Sequence, residues 1–507
     1  MTNININSLL FSTIVISITL ALSRLSGFIR EFIIATKFGI SDVTDTIIIN
    51  LTFPEILVSI ILAGGFNAAL VPEMSKRNMK QKIQLMQSVS ISTFIIFALL
   101  AFLFTEIAEI LLRLLGSSLD YSLYPDHIIS FKICLISLPI IALIGVNSSL
   151  LNSSGRFGIP NTGIIIFNFS LIIFIITQPI SISTTIWFSI ILIIAFTLRL
   201  LFQLYFSKIS FQPIKKLTDA LLCEKKLIYN FILGSIGFSI VIFMPLIFRS
   251  LYAQGASGNL ATFNFSLKLF ELPGALLVTP LSLSILPFLA HNFSKKNFET
   301  YRLILSTNLK IGIALSIGFA GLGIVFAEEV VTVLLGYGKI STDDIDSIAL
   351  LFSIMLSALP FYTIWHISAS GINAAGNQAS LFRNSSISLI LSIICLVMLQ
   401  ITVLNKIVLA DYRVLISFVV FYFIASVLNF LALKVPIKIN RNIIRVISFQ
   451  ILLPLSLSLI CYILKKKFSL GENLYSIIAI SLLVCVILLL GNIRELNVLL
   501  KYKKNQN

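Results

Sequence analysis

Residues 23–72 read SRLSGFIREFIIATKFGISDVTDTIIINLTFPEILVSIILAGGFNAALVP and lie within two long apolar segments that a short polar link joins. An apolar run of about 18 residues or more is long enough to span a bilayer as a helix. Ionisable residues nevertheless occur along this stretch, namely Arg24, Arg30, Glu31, Asp45 and Glu55. Charges in a transmembrane helix are costly and usually face a partner or a water-filled cavity. The stretch therefore predicts two membrane-spanning helices beside a polar chamber.

The second of these helices has one polar side. At about 100° per residue, Asp45, Thr52, Glu55 and Ser59 fall within an arc of roughly 80°. The remaining positions are apolar. This pattern predicts a lipid-facing or packed surface with one stripe that faces the chamber.

The composition of the whole chain is that of a membrane protein. Of its 507 residues, 57% are hydrophobic and 11% are charged, whereas a soluble domain is about a quarter charged. The net charge of +16 is attributed to loops near anionic lipid rather than to nucleic-acid binding. The five cysteines are scattered without a CxxC pair, so neither a disulfide framework nor a zinc site is indicated.

Long apolar runs predict an all-α polytopic fold with about fourteen transmembrane helices. The first run is interpreted as a retained helix, because no positive region precedes it and no cleavage site follows it. The predicted spans are 8–37, 44–66, 85–115, 128–151, 161–178, 184–206, 228–250, 261–289, 303–327, 347–371, 381–404, 412–434, 443–464 and 474–492.

The charges of the loops predict the orientation. Lysine and arginine concentrate after the even-numbered spans and in the C-terminal tail, whereas the acidic residues concentrate in the alternate loops. The positive-inside rule then places both termini in the cytoplasm. The run Lys465–Lys467 is an exception, because this scheme places it outside.

An internal repeat with an offset of about 219 residues divides the chain. Thr52-Phe53-Pro54 opens the second span as Glu271-Leu272-Pro273 occurs in the eighth, and Arg30 corresponds to Arg249. Because six spans per repeat is an even number, the halves share one orientation and are related by an axis along the membrane normal. The predicted domains are an N-terminal lobe (1–220), a C-terminal lobe (221–440), and two extra helices with the tail (441–507).

Cations collect in spans 1, 7 and 8. The eighth span carries Lys268 and Glu271, which are three residues apart and can pair, and Arg24, Arg30 and Arg249 add three arginines. Arginine binds a diphosphate through a bidentate fork, and lysine adds a point charge. The residues alone leave snorkelling to the membrane surface as the alternative, above all for Arg249 near a span end.

No motif indicates catalysis, a nucleotide, a cofactor or a metal. The segment 336–339 (GYGK) lacks the first glycine of a phosphate loop, and Asp343-Asp344-Ile345-Asp346 is interpreted as an exposed acidic loop. No HExxH or GxSxG pattern is present. An enzyme is therefore not expected.

The string SRxxGFxRExxxAxxFG, followed by TD and by a helix that ends GxFxxAxVP, resembles the MurJ (MviN) family of lipid II flippases. This family belongs to the multidrug/oligosaccharidyl-lipid/polysaccharide exporter superfamily. The similarity continues through 151–161, 270–287 and 336–339. It implies that Arg24, Arg30 and Asp45 are essential, and that Lys268 replaces a cavity arginine near Glu271.

Two positions depart from the family pattern. The family often has an arginine where this chain has Val58-Ser59, and a glutamate where it has Ala63. These changes imply fewer cations around the substrate, or compensation by Arg249. The family's last two helices form a groove thought to take the polyprenyl tail, which places that groove in residues 443–492 here.

The resemblance implies a flippase that moves lipid II, an undecaprenyl-diphosphate-linked muropeptide, from the cytoplasmic to the periplasmic face of the bacterial inner membrane by alternating access. Arg24, Arg30, Arg249, Lys268 and Glu271 are the expected substrate-binding residues. Asp45, Glu31 and Glu55 are expected to gate or couple the cycle, with Asp45 paired to a cation of the other lobe. The alternatives are a polysaccharide-lipid flippase and a cation-coupled drug exporter of the same superfamily. A non-transporting scaffold is disfavoured, because buried charge pairs would only be a cost.

Overall fold

The computed structural model contains helices joined by short connections, with no strand among the residues it describes. The predicted fourteenth span (474–492), most of the seventh and the basic loop 208–226 lie outside these residues. The structure describes 6–60, 70, 74, 79–116, 125–154, 156, 158–177, 183–207, 243–254, 256–401, 410–435 and 441–468.

The chain forms two compact units. Unit 1 comprises Met1–Ala261 together with Gly338–Ile340, and unit 2 comprises Thr262–Tyr337 together with Ser341–Asn507. The boundaries predicted after residues 220 and 440 lie outside the described residues. The division at those two points therefore stays a prediction.

Unit 1 contains two long helices at its start, then three broken or paired spans, then the end of a further one. Its described helices are α1 (Ile6–Phe38), α2 (Asp42–Ser59), α3 (Met79–Glu106), α4 (Ala108–Leu115), α5 (Pro125–Leu135), α6 (Leu138–Ser153), α7 (Gly158–Thr177), α8 (Thr184–Ser207) and α9 (243–252).

Unit 2 contains most of α10, which begins at the end of unit 1, and the helices that follow it. These are α10 (Asn259–Pro273), a π-helical turn (Gly274–Val278), α11 (Thr279–Ser294), α12 (Phe298–Val325), α13 (Ala327–Leu335), α14 (Thr342–Leu356), α15 (Leu359–Ala374), α16 (Gln378–Ile401), α17 (Ala410–Leu431) and α18 (Arg441–Phe468).

These helices confirm the predicted fold class. In the described residues, eight helices are long and apolar enough to cross a membrane, and the bent pair α14–α15 makes a ninth. Large apolar side chains are exposed on their outer surfaces, for example Phe102 and Ile95 on α3 and Leu459 on α18. Such surfaces are expected where lipid is the solvent.

The helix bounds follow the repeat that the sequence predicts. Helices α3 and α12 begin at Met79 and Phe298, and the short helices α4 and α13 begin at Ala108 and Ala327, in both cases with the offset of about 219 residues. The packing also repeats, since α3 contacts α6 as α12 contacts α15, and α6 contacts α8 as α15 contacts α17.

Proline marks the same break in both copies. Pro139 lies in the first turn of α6 and Pro360 in the first turn of α15, each just after a short interruption of the span. In unit 2 this interruption bends the span by 46°. Proline is tolerated in a first turn, where its missing N–H has no partner to lose. The breaks therefore follow from the sequence.

The acidic segment at 343–346 has a structural role. Ser341 caps α14 by accepting from the amide of Asp344, and the Asp344 carboxylate accepts from the amide of Ser341, which forms a capping box. Negative charge in a first turn also favours the helix dipole. This agrees with the interpretation of the segment as an acidic loop.

The structure gives Lys465 a specific partner. Its ammonium lies 2.5 Å from Oε1 of Glu329, on α13, and donates to the carbonyl of Val325 over 2.9 Å. It also lies 5.6 Å from the ring centroid of Phe326. This lysine breaks the loop-charge pattern because it pairs with an acid of its own unit.

Replacing Lys465 with methionine should destabilise unit 2. The largely buried Glu329 carboxylate would lose its cation, and an unsatisfied buried polar group costs about 1–3 kcal/mol. Thermal unfolding of the purified protein in detergent measures the change.

Arg113→Met is the matched control, because Arg113 pairs with Glu109 on the exposed face of α4. Exposed pairs of this kind contribute at most about 1 kcal/mol. Equal unfolding temperatures for the two variants would contradict the prediction.

Candidate functional site

Arg30 is the centre of a buried charge cluster in unit 1. Only 3% of the residue is exposed. Its Nη1 donates to Glu55 Oε1 over 2.9 Å and to Asn168 Oδ1 over 2.7 Å, while its Nη2 donates to Glu31 Oε1 over 2.9 Å. The ring of Phe167 lies 6.0 Å from the guanidinium carbon. One guanidinium thus joins α1, α2 and α7.

The sequence predicts three members of this cluster, Arg30, Glu31 and Glu55, and the structure brings all three together. It does not predict Asn168, which lies far along the chain on α7. Asn168 is held in place because its Nδ2 donates to Ser26 Oγ over 2.9 Å. The small residues Ser23 and Ser26 are both buried and allow α1 and α7 to approach closely.

The cluster has two chemical properties. Two carboxylates balance the single guanidinium, so the group can lie at membrane depth. Glu55 is also partly accessible, with 35% of its side chain exposed. An anion that displaces Glu55 would therefore meet a ready-made arginine fork.

Arg249 occupies a second buried position in unit 1. Its Nη2 donates to Thr52 Oγ1 over 2.7 Å, and Thr52 in turn donates to the carbonyl of Ile48. Arg249 is 4% exposed. Snorkelling to the membrane surface, the alternative for a residue near a span end, does not describe this buried side chain.

Asp45 accepts two backbone hydrogen bonds. It is fully buried, and its carboxylate oxygens accept from the amide of Gly258 over 2.9 Å and from that of Ala261 over 2.8 Å. These amides belong to the first turn of α10, where free N–H groups and the helix dipole favour an anion. The sequence predicts the importance of this carboxylate but not this capping role, and its part in gating stays a prediction.

The GYGK segment is seated beside the same end of unit 1. The amide of Lys339 donates to the carbonyl of Thr36 over 2.9 Å. Gly338 has a φ of +73°, and a Cβ at this position would overlap the Thr36 carbonyl. Only glycine fits this close approach, so the motif serves packing rather than phosphate binding.

Arg24 is not part of the buried cluster. Its side chain is exposed on α1, and among the described residues it has no ion-pair partner. An exposed arginine in the middle of a spanning helix needs water or an anion nearby. Arg24 is thus available to a ligand in a way that Arg30 is not.

Sequence reasoning missed Arg199. It lies on α8, is 5% exposed, and its Nε has no hydrogen-bond partner among the described residues. Its aliphatic part packs against Gly163 of α7, and Glu55 acts on it electrostatically. A lone arginine inside an apolar run was the available signal.

In unit 2, Lys268 and Glu271 form the predicted pair. The Lys268 ammonium lies 3.0 Å from Glu271 Oε2, and the two side chains are 28% and 46% exposed. Both lie on α10, one helical turn apart. A half-exposed pair can exchange partners at low cost.

Two repeated helical units with charged clusters at membrane depth define a multi-pass membrane transporter. Comparisons with known proteins identify its family. The profile of the family described as lipid II flippase MurJ matches residues 34–483, so the chain belongs to the MurJ lipid II flippase family.

Individual relatives agree with this assignment. The chain is 29% identical over 357 residues to a probable lipid II flippase MurJ of Buchnera aphidicola subsp. Acyrthosiphon pisum, covering 67% of this chain and 68% of that protein. It is 24% identical over 441 residues to that of Buchnera aphidicola subsp. Baizongia pistaciae, covering 84% and 83%.

The fold resembles solved structures of the superfamily. A lipid II flippase MurJ in an inward closed conformation superposes with a TM-score of 0.77 at 20% identity, covering 94% of this chain and 98% of that one. An inward-facing MATE-family multidrug transporter gives 0.67 at 13% identity, covering 84% and 96%.

Replacing Asp45 with alanine should destabilise the folded protein and abolish function. Two buried amides would lose their acceptor, and each unsatisfied group costs about 1–3 kcal/mol. Asp45→Asn retains an acceptor oxygen but loses the charge that favours the helix terminus, so its loss should be smaller. Thermal unfolding ranks the variants.

Asp42→Asn is the matched control. Asp42 lies one turn earlier on α2 and accepts from the exposed hydroxyl of Ser257. Its replacement should leave the unfolding temperature nearly unchanged. An Asp45→Ala protein as stable as Asp42→Asn would exclude the capping role.

Proposed function

We propose that this protein is a transporter, not an enzyme, that flips lipid II from the cytoplasmic to the periplasmic face of the bacterial inner membrane by alternating access. Membership of the MurJ family supports the substrate, since the relatives carry that name. The buried Arg30 cluster is the observation that supports a diphosphate ligand.

The chemistry follows from an exchange of anions. In this structure Glu31, Glu55 and Asn168 occupy the hydrogen-bonding positions of the Arg30 fork. A diphosphate carries acceptor oxygens with the same geometry and more negative charge than one carboxylate. It can therefore replace the accessible Glu55, while Glu31 keeps the arginine oriented.

The other proposed binding residues supply charge to the same substrate class. Arg24 is exposed and without an ion-pair partner in the described residues, and Arg249 is held by Thr52. Lys268 and Glu271 contribute a pair that can open toward a ligand. Arg199 adds a cation that balances the family arginine absent at Val58-Ser59.

A drug exporter of the same superfamily is the second candidate. Its support is the resemblance to MATE-family structures, which at 13% identity concerns the fold alone. An exporter of cations would favour carboxylates at its site. Arginines and a lysine at the buried and half-exposed positions instead favour an anionic lipid.

Arg30→Ala should abolish growth when it replaces the flippase of a depleted bacterium. Arg30→Lys should fail too, because one ammonium cannot bridge the three acceptors that the guanidinium holds. Arg24→Ala and Arg24→Lys should be impaired through loss of the substrate contact. Growth, membrane level and lipid II exposure on the outer face are the measurements.

Arg113→Ala serves as the control, since it removes an arginine on the exposed face of α4. Full growth of both alanine variants, Arg24→Ala and Arg30→Ala, at normal membrane levels would remove these residues from the site.

The direction of export depends on the orientation, for which we propose that both termini are cytoplasmic. In a variant without native cysteines, a cysteine at Lys295 should resist an impermeant thiol reagent in intact cells, and one at Asp343 should react. Both positions are exposed in the structure, so burial cannot explain a difference. The reverse labelling would overturn the orientation.

Cysteines within 76–82 and 208–226 should behave as Lys295→Cys does, and those within 120–126 as Asp343→Cys does. Permeabilised cells provide the control, because all positions should then react.

A further inference from the structure

Unit 2 contains a large group of packed aromatic rings, which we call the aromatic group. Its members come from α10, α15 and α17. They are Phe263, Phe270, Tyr362, Trp365, His366, Phe418, Phe421 and Tyr422.

Tyr362 is the hub of this group. Its ring centroid lies 4.9 Å from His366, 5.3 Å from Tyr422 and 5.8 Å from Phe270 and Trp365. Trp365 and Tyr422 form the buried floor, whereas Tyr362 and His366 are partly exposed. The group therefore presents two rings at its surface.

The exposed edge lies beside the Lys268–Glu271 pair. Tyr422 interacts electrostatically with Glu271 and Tyr362, and Tyr362 packs against Gly274, three residues after Glu271. Because 46% of the Glu271 side chain is exposed and a carboxylate cannot face lipid tails, this edge faces water.

The opposite edge of the same helices has a different surface. Phe361 and Phe423 pack with their ring centroids 5.2 Å apart, and Phe423 is 48% exposed without a charged neighbour in the sequence. This pair has the character of a lipid-facing surface. It provides a comparison with the same ring chemistry in a different setting.

The fold itself does not need the rings. In unit 1 the positions that correspond to Tyr362 and Trp365 by the repeat are Ile141 and Ile144, which are also buried. Aliphatic side chains thus pack the same helix junction in the other copy. The rings of unit 2 are an addition to the repeat.

The floor also contains an unused donor. Trp365 is 9% exposed, and its Nε1–H has no acceptor among the described residues. A buried indole N–H usually finds a partner. A ligand hydroxyl or carbonyl at the exposed edge, directly or through water, would supply one.

We propose that Tyr362, His366 and Glu271 form a saccharide subsite that receives a pyranose ring of the lipid-linked substrate. The apolar face of a pyranose packs against an aromatic ring, and its hydroxyls donate to a carboxylate, which is the combination found at this edge. The proposal rests on the proposed function and names the part of the substrate that unit 2 recognises.

The test compares two lipids that differ in the sugar. The full-length protein in nanodiscs is titrated with lipid II and with undecaprenyl diphosphate, which lacks the saccharide. Tyr362→Leu should weaken lipid II binding roughly tenfold, a factor in the range of one lost aromatic contact. Its affinity for undecaprenyl diphosphate should change less than twofold.

Two matched variants support the comparison. Phe361→Leu removes the neighbouring ring on the lipid-facing side and should change neither affinity. Tyr362→Phe keeps the ring and should retain most of the preference for lipid II. His366→Ala, a milder change at the same edge, takes the place of Tyr362→Leu if that variant does not assemble, and should lower lipid II affinity selectively.

The outcomes separate the two proposals. A wild-type protein that binds lipid II no better than phosphatidylglycerol would overturn the proposed function. A wild-type protein that binds both diphosphate lipids tightly and equally would overturn only the saccharide subsite. Equal weakening of both lipids by Tyr362→Leu, or no effect of either variant, would also overturn it.

Discussion

The neutralisation of Arg30 is the constraint on which unit 1 depends. A guanidinium at membrane depth cannot be left alone, so the chain surrounds it with Glu31, Glu55 and Asn168 from three helices. The same contacts fix how α1, α2 and α7 approach one another. Because Glu55 stays partly accessible, a structural ion pair is also a site where an anion can enter. Stability and recognition are thus properties of one group.

The sequence predicts this arrangement only in part. Apolar length predicts the spans, and charges within those spans predict Arg30, Glu31 and Glu55 as neighbours on adjacent helices. It does not predict Asn168 or Arg199, because an amide or a single arginine in an apolar run has no local pattern that reports its partner. The backbone acceptors of Asp45 were also hidden, since a helix N-terminus from a distant segment leaves no mark near residue 45.

The repeat was more predictable than the contacts within it. Proline positions, basic segments and helix lengths recur at one offset, and the helix bounds follow them. What the offset could not indicate is that the copies differ in chemistry. Unit 1 collects charges between its helices, whereas unit 2 collects rings around Tyr362. Side-chain identity at equivalent positions, such as Ile141 and Tyr362, carries this difference.

That divergence bears on the ancestry of the chain. An ancestral half that paired with an identical copy would have presented the same chemistry twice. The present halves have become complementary, so that neither could be replaced by a duplicate of the other without losing either the charges or the rings. Fusion into a single polypeptide makes such specialisation permanent, since every molecule then contains one of each. The isoleucines of α6 and the rings of α15 record this step from symmetric pair to asymmetric protein.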